Sequence, residues 1–266
     1  MNLNRELRIA ATNVLIGISL ASLLASGGCS KNGGGPEPDD ANGGKLTPGY
    51  TVGKAVDARG NPLEGVSIIL DNTLLYNSNL VGTTDKNGTY RIKTSGSTWK
   101  ALAEIRRTYN GKSYRLSLTP DNIDGYAGAD GAVRNFQWNL SGEQPDNPGL
   151  FYGGSVSVNK DIESQLYDVE NLEFTFTPVG ELIDGSTGKI LTLRTGDPHT
   201  EHYGSIPDVP IGRYKITAVH KPTGQKVKVR NRNGTYTGDG AATLDFYGET
   251  GPWACTNCMV LDYKEQ

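Results

Sequence analysis

The sequence has 266 residues, of which 26 are basic, 29 are acidic and 36% are hydrophobic. This length allows one large domain or two small ones, and the mildly acidic balance excludes the basic surface of a nucleic-acid-binding protein. The 35 glycines and 13 tyrosines, against only 2 methionines, favour many short strands joined by turns over long helices.

The first 28 residues are predicted to be a targeting signal. Arg5 and Arg8 give a positive start, and residues 9–25 form an apolar run. A membrane-spanning helix needs about 20 apolar residues, so this shorter run is typical of a signal peptide.

Three small residues at 26–28 lead directly into Cys29. This pattern resembles the lipobox of bacterial lipoproteins, in which the cysteine is acylated and becomes the new N-terminus. The leucine lies at Leu24, further upstream than in the commonest lipobox, as in relaxed boxes of Bacteroidetes lipoproteins. The resemblance implies palmitate or a similar acyl chain on Cys29 and hence a membrane partner; the alternative is an ordinary secretory signal with a chance cysteine.

The residues after Cys29 predict the membrane to which the protein is delivered. Ser30 stands where an aspartate would resemble the inner-membrane retention signal, so outer-membrane delivery is predicted. Acidic residues at 37, 39 and 40 resemble the surface-export signal of Bacteroidetes, which favours the cell surface and leaves the periplasmic face as the alternative. Residues 29–48 contain one large apolar residue, Leu46, and are therefore predicted to be a disordered tether with a reach of roughly 25 Å.

Residues 49–143 are predicted to form a first β-sandwich of about seven short strands. Apolar and polar residues alternate from Tyr50 to Asp57, and Asn110-Gly111 is a strong hairpin signal. Further inward rows are expected at Val66, Ile68, Leu70, Tyr90, Ile92, Trp99, Ala101, Ala103, Ile105, Tyr114, Leu116, Leu118, Phe136, Trp138 and Leu140.

The order of turns in this region carries a resemblance to a known family. It is formed by Gly53 to Asp57, by Gly60-x-Pro62-Leu63-x-Gly65-Val66, and by Thr84-Asp85-x-x-Gly88-x-Tyr90-x-Ile92. The pattern resembles the carboxypeptidase regulatory-like domain and implies a prealbumin (transthyretin-like) sandwich. It implies an architecture and no activity.

A linker at 144–149 and a second β-sandwich domain at 150–266 are predicted to follow. The full prediction is thus an all-β chain with two prealbumin-like or Ig-like sandwiches in tandem. The segment from Pro210 to Tyr214 resembles a proline–glycine–tyrosine corner of such modules, and 161–169 reads as a helical turn or a loop. The expected strands are 151–158, 172–177, 190–194, 214–220, 226–230, 242–247 and 258–263.

Cys255 and Cys258 are the sharpest chemical feature. In an oxidising compartment such a pair predicts a disulfide, which requires a turn at Thr256-Asn257 because three extended residues span more than the permitted Cα separation. Free or intermolecular thiols and a redox-active pair are the alternatives.

No metal or cofactor is predicted. His199 and His202, together with Cys255 and Cys258, are weak candidates for a zinc set, but solvated loop histidines are the simpler interpretation. The aspartates at 121, 124 and 130 do not have the spacing of a calcium loop.

Aromatic residues outside the expected strands are the candidates for ligand binding. Trp253 lies beside Pro252 in a turn and Tyr126 lies in an acidic loop, so their rings could stack on a sugar or on a protein. Trp99 and Trp138 lie within alternating strands and are expected in the core.

The sequence therefore predicts a non-enzymatic, lipid-anchored outer-membrane or cell-surface protein that binds or scaffolds a glycan or a surface protein. A fimbrial or adhesin-type subunit is the first alternative, because Bacteroidales fimbrillins are also lipoproteins with two transthyretin-like domains. An enzyme, or an accessory subunit of one, is the second. A groove with aromatic rings would favour glycan binding, and a converging buried titratable set would favour an enzyme.

Overall fold

The computed structural model describes residues 44–94, 96–251 and 255–266. The predicted signal peptide, Cys29, most of the tether and Trp253 lie outside these ranges. The described residues belong to one compact unit, and a 3-10 turn at Val169–Asn171 is the one helical element among them. None of the helical structure described is long and apolar enough to cross a membrane. The predicted all-β class is confirmed.

The strands follow one another closely along the chain. In order they are β1 (Tyr50–Asp57), β2 (Ser67–Asn72), β3 (Leu80–Thr83), β4 (Thr89–Lys93), β5 (Thr98–Tyr109), β6 (Lys112–Ser117), β7 (Thr119–Pro120), β8 (Tyr126–Ala127), β9 (Ala132–Val133), β10 (Phe136–Trp138), β11 (Gly154–Lys160), β12 (Leu172–Pro178), β13 (Leu191–Leu193), β14 (Ser205–Val209), β15 (Arg213–His220), β16 (Gln225–Asn231), β17 (Ala242–Asp245) and β18 (Cys258–Glu265).

Strands β1–β10 form two five-stranded sheets, termed here the N-terminal sandwich. One sheet has the order β4-β1-β10-β7 with β9 beside β1, and the other has the order β3-β2-β5-β6 with β8 beside β5. Except for the half-buried Leu140, every side chain expected in the inward rows from Val66 onwards is buried. Alternation along these strands therefore predicted the core correctly.

The predicted turns of the N-terminal sandwich are also confirmed. Gly60 and Gly88 have φ values of 85° and 74°, and Asn110 and Gly111 have 46° and 76°. These left-handed conformations favour glycine and asparagine, which explains why the chain reverses at these positions. At the second of these turns, Asp85 Oδ1 accepts hydrogen bonds from the backbone N–H groups of residues 87 and 89.

Strands β11–β18 form one eight-stranded sheet, termed here the C-terminal sheet, with the order β13-β12-β15-β16-β18-β11-β14 and with β17 beside β15. β15 pairs with β17 through its first half and with β16 through its second half, so its neighbour changes along its length. The Tyr214 hydroxyl donates a hydrogen bond to the Pro210 carbonyl at 2.8 Å, which closes the corner that the sequence singled out.

The C-terminal sheet departs from the predicted strands in three places. β14 was not predicted, because Pro207 interrupts its sequence pattern. β11 begins at Gly154, because the preceding residues pair instead with Gly142 and Glu143. The segment 161–168 is a loop, followed by the short 3-10 turn.

The β5–β6 hairpin reaches from the N-terminal sandwich to the C-terminal sheet. Asn110 Nδ2 donates to Asp245 Oδ1 at 2.7 Å, while Lys112 Nζ and the Tyr114 hydroxyl donate to the Phe246 carbonyl at 2.9 and 2.7 Å. Buried side chains of both sets of sheets belong to one hydrophobic cluster. The sheets change between Trp138 and Gly154, an interval that contains the predicted linker; the division into two domains stays a prediction.

Candidate functional site

Three neighbouring hollows lie where the β5–β6 hairpin meets the segment after β10 and the C-terminal sheet. Their volumes are about 280, 220 and 330 Å³, and Ser117 lines all three. We term them together the junction groove. Because the hollows share a wall residue, the groove offers a surface longer than any one of them.

Planar polar groups and rings form part of the groove lining. The hollow of about 280 Å³ shares lining residues with both of the others and is termed the central hollow. Among its lining residues are the polar side chains of Arg115, Gln144 and Asn257 and the rings of Phe151, Tyr152 and His202. The rings are half-buried, so each keeps part of its surface open. This mixture of rings and fixed polar groups is the usual composition of a ligand site.

Asp208 holds two backbone segments of the groove wall in place. It has a φ of 60°, and its carboxylate accepts hydrogen bonds from the N–H of Gly142 at 2.8 and 2.9 Å and from the N–H of Gly153 at 3.1 Å. A Cβ added at Gly153 would lie 2.6 Å from the Asp208 backbone, so only glycine fits there. The carboxylate therefore has a structural task that occupies both of its oxygens.

Asn257 forms another part of the groove wall. Its Nδ2 donates to the Arg115 carbonyl at 2.7 Å, and its Oδ1 is buried with no hydrogen-bond partner in the described part of the chain. A buried acceptor without a partner is costly, so a donor from a ligand would satisfy it.

Charged side chains lie at one end of the groove. Arg115 lies 3.8 Å from Glu249 and 3.9 Å from Glu104, and Arg106 lies 3.1 Å from Glu249. Partly exposed pairs of this kind contribute little to stability. These groups can therefore exchange partners with a ligand at low cost.

The rings are fixed by their neighbours. The Phe151 and His202 rings pack edge to face with centroids 5.9 Å apart. Burial raises the pKa of the Tyr152 hydroxyl, although a hydrogen bond with Thr119 acts in the opposite direction. Tyr152 is thus a neutral ring at physiological pH.

The predicted cysteine pair lies next to the groove. The Cα atoms of Cys255 and Cys258 are 5.9 Å apart, which is the separation that a disulfide requires, and Asn257 has a φ of 52° in the turn between them. Thr256 and Asn257, the two residues inside this pair, line the groove. The bridge stays a prediction. If it forms, it would restrain the backbone at Asn257 and so fix this part of the groove wall.

The two histidines among the weak metal candidates have different surroundings. His199 is exposed in a turn with a φ of 67°, while His202 packs on Phe151. In residues 44–94, 96–251 and 255–266, no three histidine, cysteine or acidic side chains are grouped so as to hold a metal ion.

Of the two aromatic candidates, only Tyr126 lies within the described residues. It forms part of β8, its hydroxyl bonds with Thr51 Oγ1 at 2.5 Å, and the Arg134 guanidinium lies 4.9 Å from its ring centroid. These contacts give Tyr126 a structural role in the N-terminal sandwich. The buried Trp99 and Trp138 were predicted correctly as core residues.

Apart from His202, a weak metal candidate, and the turn at Thr256-Asn257, sequence reasoning missed the groove residues. The signal that could have found Asp208 is a non-glycine residue between two prolines, where tight backbone geometry needs side-chain support. Asn257 had been noted only as a turn former. The others, Arg115, Gln144, Phe151 and Tyr152, come together through tertiary contacts that carry no local pattern.

The comparisons with known proteins return structures alone. No family model matches the chain, and no curated protein matches it. Solved structures that resemble it include the Bacillus anthracis TIE protein (13% identity, TM-score 0.30), a streptococcal ancillary pilin (14%, 0.25) and one B repeat unit of the collagen-binding surface protein of Staphylococcus aureus (14%, 0.20). The matches cover 81%, 82% and 84% of this chain and 34%, 62% and 100% of those chains. The chain therefore spans about a third of the first structure and less than two thirds of the second. Likeness at this level assigns no function.

Proposed function

We propose that this chain is a non-enzymatic, adhesin-type surface protein that holds a glycan in the junction groove. The observation that carries the proposal is the lining of the central hollow, where the rings of Phe151 and Tyr152 lie beside Arg115, Gln144 and Asn257. A sugar presents apolar ring faces and hydroxyl groups together. Aromatic rings suit the first, and planar amides and a guanidinium suit the second.

Asn257 supplies the most specific point of recognition. Its buried Oδ1 needs a donor, and a sugar hydroxyl is both a donor and an acceptor. A hydroxyl at this position could also accept from a neighbouring donor such as Gln144. Removing the Asn257 side chain should therefore weaken binding more than removing an exposed polar group.

Binding fits the groove better than acid–base catalysis does. The Asp208 carboxylate is engaged by two backbone segments, and His202 packs its ring against Phe151. General acid–base chemistry requires a group free to reach a proton on the substrate. These contacts support a role for Asp208 in shaping the wall.

The proposal includes lipid attachment at Cys29 and display on the outer membrane, the anchorage that the lipobox-like sequence implies. Metabolic labelling with palmitate tests it directly. Incorporation in the wild-type chain and none in the Cys29→Ser variant would support the anchor, and equal labelling of the two would contradict it. The carboxypeptidase regulatory-like relationship of the N-terminal sandwich is likewise part of the proposal.

A glycan array tests the groove. The mature chain should bind a restricted set of glycans as a monomer in size-exclusion chromatography. Arg115→Ala and Asn257→Ala should each lower the signal at least fivefold, whereas Lys226→Ala, an exposed residue on β16, should not. Equal signals for all variants would contradict binding in the groove.

A fimbrial subunit is the second candidate, and the position of β1 favours it. β1 lies inside its sheet, antiparallel to β4 and parallel to β9 and β10. Removing it would open a groove with free edges on both sides, which a strand from another copy could fill. A chain lacking β1 that polymerises, and is returned to monomers by a synthetic Tyr50–Asp57 peptide, would support this role; a chain that stays monomeric without the peptide would contradict it.

A further inference from the structure

Three consecutive apolar side chains are exposed between β2 and β3. Leu74, Leu75 and Tyr76 are 71%, 60% and 102% exposed. We term them the apolar tip. Single exposed apolar residues are ordinary, but a contiguous group on a soluble surface marks an interaction site.

The apolar tip is held in this exposed position by its neighbours. The Asn72 side chain is buried, and its Oδ1 accepts hydrogen bonds from the N–H groups of Leu74 and Leu75 at 3.0 and 3.1 Å and from Ser97 Oγ at 2.9 Å. The Thr73 N–H donates to the Thr98 carbonyl at 3.0 Å. The backbone is therefore ordered before any partner arrives, which lowers the entropic cost of binding.

The apolar tip lies at the end of the N-terminal sandwich where the described chain begins. The Gly49 N–H donates to the Ala129 carbonyl, and the neighbouring Gly128 N–H donates to the carbonyl of Ser97, the residue that contacts Asn72. The other end of β5, twelve residues long, carries the hairpin that reaches the C-terminal sheet. At about 3.3 Å per residue, the two ends of β5 are more than 30 Å apart along the strand, whereas the nearest hollow of the junction groove begins at Ile69 and Leu102, about 10 Å along the strands from Asn72.

The occupant that this position favours is a lipid surface. Leucine enters the acyl region and tyrosine settles among the headgroups, where its ring and hydroxyl are both satisfied. The exposed Lys93, at the end of β4, pairs with Tyr50 at the same end of the sandwich and offers a cation for phosphate groups. The predicted tether between Cys29 and Gly44 spans roughly 20 Å on average, so it keeps this end close to the membrane.

We propose that the apolar tip inserts into the membrane that carries the anchor and thereby orients the protein with the β5–β6 hairpin and the C-terminal sheet away from the bilayer. The inference uses the predicted anchor and adds a second, weaker contact. Three side chains alone bind a bilayer weakly, but a tether raises their effective concentration at its surface. The consequence is a fixed orientation, in place of free rotation about the tether.

Fluorescence quenching tests this contact separately from acylation. A chain from Ser30 to Gln266, which retains every described residue, is attached by an N-terminal hexahistidine tag to phosphatidylcholine vesicles that contain nickel-chelating lipid and lipids brominated in the acyl chain. Tryptophan is introduced by Tyr76→Trp. The matched control is Ile162→Trp, since Ile162 is 94% exposed just beyond the end of β11 that is remote from the junction.

After subtraction of the signal of the parent chain, we expect Tyr76→Trp to be quenched at least twofold and Ile162→Trp to be unaffected. Adding Leu74→Ser and Leu75→Ser should abolish the quenching while the chain stays on the vesicles. Equal quenching at positions 76 and 162 would overturn the proposal. Concentration-dependent dimerisation that disappears with the two serine substitutions would also overturn it, because the apolar tip would then bind a second copy of the chain.

Discussion

The loops at the two ends of the β2–β5–β6 sheet differ in whether they contact the rest of the protein. The polar hairpin turn at Asn110-Gly111 is engaged by the C-terminal sheet, whereas the apolar tip at Leu74 to Tyr76 has its side chains in solvent. Folding alone would bury the apolar side chains of the tip, because burial stabilises them, whereas the Asn110-Gly111 turn is itself exposed and is held by a polar contact. The difference indicates that the hairpin end joins the N-terminal sandwich to the C-terminal sheet, whereas the other end leaves apolar side chains free for the membrane contact proposed above.

The largest loss of folding stability is expected from a substitution at Phe246, which is buried beneath the hairpin end. Phe246 is fully buried and packs edge to face on Tyr214 with centroids 6.4 Å apart, while its carbonyl receives Lys112 and Tyr114. Phe246→Ala should lower the free energy of unfolding by about 3–5 kcal/mol, measured by urea denaturation.

The matched substitution at the other end is Leu74→Ala, which should change the free energy of unfolding by less than about 0.5 kcal/mol. A similar loss for the two variants would contradict the contrast between the two ends.

The cysteine pair should give the next largest effect. A bridge between Cys255 and Cys258 closes a very short loop and should stabilise the fold by about 2 kcal/mol. Thiol counting on the chain from Ser30 should find no free thiol before reduction and two afterwards.

Reduction should also weaken glycan binding, because it frees the Asn257 wall. The Cys255→Ser, Cys258→Ser variant should bind equally weakly with and without reductant. Two free thiols in the untreated chain would exclude the bridge.

Removing a single hydrogen bond at the hairpin end should lower the free energy of unfolding by less than the changes above. The Tyr114 hydroxyl is buried and donates to the Phe246 carbonyl at 2.7 Å. Tyr114→Phe should cost about 1 kcal/mol in urea denaturation, since the ring and its packing remain. Tyr76→Phe at the apolar tip is the control and should be neutral; a cost for Tyr76→Phe as large as that for Tyr114→Phe would weaken the comparison.

The smallest effect concerns pH. Burial by itself would raise the pKa of Asp245, but hydrogen bonds from Arg213 and Asn110 outweigh it and leave the pKa below its ordinary value of 3.8. A depressed folded pKa contributes stability above the unfolded pKa, and that contribution is lost as the pH falls through the folded pKa.

Unfolding midpoints measured between pH 7 and pH 2.5 should therefore fall less steeply below pH 4 for Asp245→Asn than for the wild type. Asp130→Asn, an exposed aspartate near the chain entry, is the control. Identical slopes for the wild type and Asp245→Asn would show that this carboxylate does not link the hairpin to the C-terminal sheet.

Local features of the sheet could be predicted from the sequence, whereas contacts between distant residues could not. Alternation and glycine turns predicted about seven strands and most of the core of the N-terminal sandwich, because both signals are local. The sandwich has ten strands, because β7, β8 and β9 have only two residues each and show no alternation. The turn at Asn110-Gly111 was foreseen, but its bond to Asp245, 135 residues away, was not. The junction groove escaped prediction for the same reason, since Arg115, Tyr152 and Asn257 meet only through the tertiary fold. Tyr126 stays a candidate for ligand binding; its half-buried ring also contacts Arg134.

Amide chemical shifts test the central claim most directly. The ¹⁵N-labelled chain from Ser30 is titrated with the glycan that gives the strongest array signal. We expect shifts at 115–117, 149–153 and 256–257, which line the groove, and none at 73–79. Shifts at the apolar tip with none in the groove, or no shift with any glycan, would contradict a binding role for the junction groove.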